Sequence, residues 1–193
     1  MINLKQQKPK LGIAAVILLG FLSVALTLPF SAEANKGGKI LTLNLKGTGE
    51  AYTAEIPVID GSGTNEGLCF DVKLYNLDNG LQIGTATDCL SDVVDIYGDG
   101  DSIMLVGTTI FNFTGGGQLV TRGETTVRQI LHGENNFTHI TGAEPSGGND
   151  ILSGTKQFKS VDGSARLSGL VNLSELGSDG KITFDCIFVI NLN

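Results

Sequence analysis

Beyond residue 35 the apolar residues come in short runs separated by polar clusters. In the last run Ile182, Phe184, Cys186, Phe188, Ile190 and Leu192 fall on one side, and Thr183, Asp185, Ile187, Val189 and Asn191 on the other. A period of two sends alternate side chains to opposite faces of a strand, so this run reads as a strand with one wholly apolar face and one mixed face. The same criterion predicts strands over 39–46, 52–59, 68–77, 81–90, 102–113, 118–131, 137–141, 165–173 and 182–192. Clusters rich in Gly, Asn, Asp and Ser break them at 60–67, 78–80, 97–101, 114–117, 142–150 and 177–180. No long helical period and no internal repeat follows residue 35, so the pattern predicts a single all-β domain.

One hairpin can be registered from its turn. Strands 68–77 and 81–90 flank Asp78-Asn79-Gly80. A two-residue Asn-Gly turn would set Asp71 opposite Asp88, and like charges directly opposed destabilise a sheet. A longer loop with Gly80 in the left-handed bulge position instead pairs Cys69 with Cys89, Asp71 with Thr87 and Lys73 with Thr85. That register is preferred, and it brings Cys69 and Cys89 within reach of a cross-strand disulfide. It also places Asp88 on the same face as Leu68, Phe70, Val72 and Leu74. The third cysteine, Cys186, then stays a free, buried thiol.

The front of the chain is different. Lys5, Lys8 and Lys10 precede an uncharged run over 11–28, then Pro29 and Ala32-Glu33-Ala34. A cationic end, an apolar segment and a small-x-small site are the parts of a Sec-type signal peptide, so residues 1–34 are predicted to be a signal-peptide helix cleaved after Ala34. Residues 35–193 form the mature domain, secreted or periplasmic, with no membrane contact after cleavage. The alternative is an uncleaved helix that tethers the domain to the membrane.

Charge narrows the partners. The chain has a net charge of −7, and losing three lysines and Glu33 with the leader makes the mature domain about −9. Such a surface repels phosphates, which excludes nucleic acid. The three cysteines lack metal-ligand spacing and the histidines are only His132 and His139, so neither a metal nor a cofactor is expected.

Asp88 is the foremost candidate for chemistry. A carboxyl on an apolar strand face is desolvated, which raises its pKa and suits it to act as an acid or a ligand anchor. The bland alternative puts it at a solvated barrel mouth. Arg122, Glu124 and Arg128 share one face of one strand, either as a polar cluster that orients an oxygenated ligand or as an ordinary outer face. His132 and His139 have no paired nucleophile.

The segment "SGTKQFKSVDGSARLSG" over 153–169 has a Gly-Thr-Lys run, but a phosphate loop needs Lys directly after its second Gly and a helix behind it. Here Lys156 follows Thr155, and a β pattern follows. Together with "ITG" and "ITFDCIFVINL", this segment resembles the C-terminal half of the allene oxide cyclase and dirigent proteins. Gly154, Phe158, Gly163 and Ala165 match that superfamily's G-[TS]-G-x-F-x-x-x-x-G-x-[AV] motif. Lys156 stands where the family has its second Gly, and "GAEPSGGND" is an insertion. The resemblance implies an eight-stranded antiparallel β-barrel with an apolar central cavity, often a homo-oligomer such as a dimer or trimer. In that fold Gly154 and Gly163 serve turns or bulges, and Phe158 plugs one end of the barrel.

Two functions follow. The first is an exported barrel that binds or orients a small hydrophobic or phenolic ligand without conventional catalytic machinery. The second is an isomerase or cyclase acting on a reactive, oxylipin-like substrate, steered by pocket shape and one or two polar groups. A barrel filled by its own side chains would instead be purely structural.

Overall fold

The computed structural model describes residues 38–57, 63–95, 102–129, 137–142 and 149–193. The expected leader at 1–34, His132 and the turn at 97–101 lie outside them.

Among the described residues nine strands follow one another: β1 (Lys39–Pro57), β2 (Thr64–Asn76), β3 (Gln82–Asp95), β4 (Ser102–Phe113), β5 (Gln118–Gln129), β6 (Phe137–Gly142), β7 (Asn149–Gly154), β8 (Gly163–Asn172) and β9 (Lys181–Leu192). A 3-10 turn (Lys156–Phe158) precedes β8, and a one-turn helix α1 (Leu176–Asp179) precedes β9. The strands lie in the order β4-β3-β2-β1-β9-β8-β6-β5, and β5 pairs back onto β4. Every pairing is antiparallel, and the β4–β5 pairing closes the sheet into an eight-position barrel.

The ninth strand fits without widening the barrel. β6 pairs with the end of β5 at 126–129 and with β8 at 167–172. β7 pairs with β5 at 119–122 and with Ala165 and Ser164 of β8. Both are antiparallel to the same two neighbours, so β6 and β7 lie end to end in one position, interrupted by the insertion. The sequence pattern missed β7 because "NDILSG" does not alternate, and the break expected over 142–150 takes in its Asn149 and Asp150.

β1 corrects a second expectation. The strands expected over 39–46 and 52–59 are one strand, because β1 runs through 47–51 and pairs with β9 without interruption from Lys39 to Glu50. Its register against β2 shifts between Lys46 and Ala51, with Gly47 at φ 128°. The Gly-Thr-Gly sequence is a bulge that bends one long strand around the barrel.

The β2–β3 hairpin has the register expected from its turn. Cys69 faces Cys89, Asp71 faces Thr87, Lys73 faces Thr85, and Gly80 sits at φ 70°. Cys69 and Cys89 form a disulfide on the outer side of these strands, covered by Ile56 of β1. Cys186 is free and buried. The inner faces of all the strands build the core, and β9 contributes Ile182, Phe184, Cys186, Phe188, Ile190 and Leu192 to it, as its alternation requires.

Candidate functional site: an apolar cup with one carboxyl

One end of the barrel is plugged. Phe158 is 5% exposed, and its ring lies 4.8 Å from that of Phe113. Gly154 permits this, since a Cβ there would collide with the backbone of Phe158. Gly163 has a φ of 136° and a Cβ there would strike the Asn191 carbonyl, so strand β8 can begin here only with glycine. Ala165 is fully buried and faces Ile190 across β9. In the middle of the barrel, Phe70 packs on Phe184 at 5.7 Å and Phe111 on Phe188 at 5.2 Å. This aromatic layer forms a floor.

Above the floor the lumen is open. A cavity of about 150 Å³ is lined by Leu90, Ile103, Leu105, Val127, Ile140, Leu167, Leu176, Phe184 and Phe188, among others. Leu68 and Val93 also line it and are 37% and 63% exposed, so it reaches the surface at the rim. A cavity of this size accommodates a molecule as large as a single aromatic ring.

Asp88 stands in the wall. It is 4% exposed, lies opposite Phe70 on β2 and Thr109 on β4, and is the one charged side chain among the described lining residues. Thr109 Oγ1 donates to Asp88 Oδ1 at 2.6 Å. Burial pushes the Asp88 carboxyl up to about 6, against a smaller downward pull from the Thr109 hydrogen bond. Thr125 lines the same cavity, and its buried Oγ1 has no hydrogen-bond partner. A Cβ at Gly107 would come within 3.2 Å of that hydroxyl, so the glycine keeps it open to the cavity. Cys186 lies in the same lumen, and burial, with the Asp88 charge, pushes its thiol up and out of the reactive range.

The other sequence candidates lie elsewhere. Arg122, Glu124 and Arg128 do share a face of β5, but Thr125 and Val127 alternate with them and face the lumen. Arg122 is 5% exposed on the outer side and donates from Nε to Thr108 Oγ1 at 3.2 Å, next to the strand that carries Cys89. None of the three is among the described residues that line the cup. His139 is exposed on β6, within hydrogen-bond distance of Ser168 and Thr141, and does not line the cavity. Among the described residues no group of three His, Cys, Asp or Glu side chains could hold a metal ion.

Sequence reasoning missed Thr109 and Thr125. The signal for Thr125 was present, because Thr121, Gly123, Thr125 and Val127 alternate with the charged residues that drew attention. No family model matches the chain, and no curated protein matches its sequence.

Proposed function

We propose that the domain is an exported barrel of the allene oxide cyclase and dirigent type that binds a small hydrophobic or phenolic molecule in its lumen, with Asp88 as the anchor. The observation that carries this reading is a single buried carboxyl in the wall of an otherwise apolar cup whose far end is plugged. Binding sites of this kind combine a largely apolar lining with a few placed polar groups. A purely structural barrel would have no reason to keep an ionisable group inside or to leave the space beside it unfilled. The Cys69–Cys89 disulfide is consistent with an oxidising, extracytoplasmic compartment. Among the described residues no helix is long and apolar enough to cross a membrane.

Native mass spectrometry of the purified protein, incubated with lipid and phenolic extracts, tests the reading. The expected result is a discrete adduct on the wild type that weakens in Asp88→Asn. Unchanged binding in that variant removes Asp88 as anchor, and no adduct from any extract overturns the ligand-binding reading.

The Asp88–Thr109 pair supports a second reading, an isomerase or cyclase. A shaped pocket with two polar groups in contact can steer an intrinsically easy rearrangement without a nucleophile. Its signature is release of a molecule isomeric with the one bound, which simple binding does not give.

A further inference from the structure

Among the described lining residues the cup carries charge of one sign only, that of Asp88. From β2 the residue opposite Asp88 is Phe70, from β4 it is Thr109, and from β9 the Cys186 thiol is close enough to feel its charge. None of these is a cation, and among the described lining residues none is Lys, Arg or His. An ionised carboxyl in such a wall has lost its water and gained one hydroxyl. A neutral guest leaves that charge uncompensated, and an anionic guest adds a second. A cationic guest supplies what the wall lacks.

Two further features suit an ammonium head. Thr125 Oγ1 is a second buried oxygen in the same cavity with no partner, and an ammonium has three N–H donors against the single donor of a phenol or alcohol. Phe184 and Phe188 also line the cavity, and aromatic faces attract cations, most strongly where water is excluded. The net charge of −7 draws cations toward the surface. The volume of about 150 Å³ fits one ring or a short chain beside the head group.

We propose that the cup selects small hydrophobic ammonium compounds, with Asp88 as counter-ion and Thr125 as second acceptor. This rests on the ligand-binding reading above and narrows it to one charge class.

Calorimetric titration of the whole protein with benzylamine, benzyl alcohol, toluene and benzoate separates the two, because the ring is constant and only the head changes. Benzylamine is expected to bind most tightly at about pH 7.5 and benzoate least. Benzylamine should also weaken about tenfold on going to about pH 5, following the ionised fraction of a carboxyl at about 6, while toluene changes little. In Asp88→Asn toluene binding persists, which shows a folded cup, and the preference for benzylamine disappears. Thr125→Val is expected to weaken benzylamine several-fold and leave toluene unchanged. If benzyl alcohol or toluene binds as tightly as benzylamine at about pH 7.5, the charge class is wrong and the apolar cup stands. A preference that survives Asp88→Asn also overturns the proposal. If none of the four compounds binds, the proposal falls, and the reading beneath it falls only if the extracts also give no adduct.

Discussion

Asp88 gives the barrel a pH dependence opposite to that of most carboxylates. Its folded-state pKa is raised, from 3.8 to about 6, so the folded protein holds this proton more tightly than the unfolded chain does. Below pH ~3.8 both states are protonated and the group costs nothing. As pH rises toward 6 the unfolded chain ionises first, and the folded state loses about 3 kcal/mol that is not regained at higher pH. Asp88→Asn removes this term. The variant should therefore match or exceed wild-type stability at neutral pH, and the gap between the two should close as the pH falls to about 4. Denaturant unfolding across that range measures it. A gap that stays constant with pH would mean that Asp88 is solvated in the folded protein. The same residue would then lose its claim to anchor a ligand, since both properties come from its desolvation.

At the scale of the element, the β2–β3 hairpin shows what a short turn can encode. Gly80 admits the left-handed conformation, the loop length sets the register, and the register alone places Cys69 against Cys89 and Asp88 beside Phe70. Both the disulfide and the main candidate residue were therefore legible from the sequence. Thr109 was not, although it lies directly opposite Asp88. The connection between β3 and β4 lies outside the described residues, and a bulge between Ser91 and Val94 shifts the pairing. The disulfide also makes a prediction at this scale. Denatured without reductant, the protein should titrate one thiol per chain, Cys186, and three after reduction. Three thiols before reduction would rule the bond out. Replacing Cys69 and Cys89 by Ser should cost about 3 kcal/mol, the loop-closure value for the 20-residue separation of this pair. Thermal unfolding of that double variant against wild type measures the cost.

For the whole molecule, closure of the sheet and filling of the lumen are separate matters. Antiparallel pairing around eight positions makes the barrel, while side chains from one end only make it a cup. The motif at 153–169 does more than enter a strand. Its Gly154 lets the chain close over the lumen, and its Phe158 packs against Phe113 within the core. Phe158→Ala should destabilise the fold by about 3–5 kcal/mol, since a buried ring is lost and the rigid wall around it cannot collapse. The loss should also change what the cup accepts, if the deleted ring volume joins the cavity above the aromatic floor. Toluene titration of the variant, beside a two-ring hydrocarbon such as naphthalene, reads that out. Naphthalene should gain affinity relative to toluene when the plug is removed. An unchanged ratio, with the stability loss still present, would show that the aromatic layer of Phe70, Phe111, Phe184 and Phe188 seals the cup by itself. Phe158 would then serve the barrel's stability without setting the depth of its site.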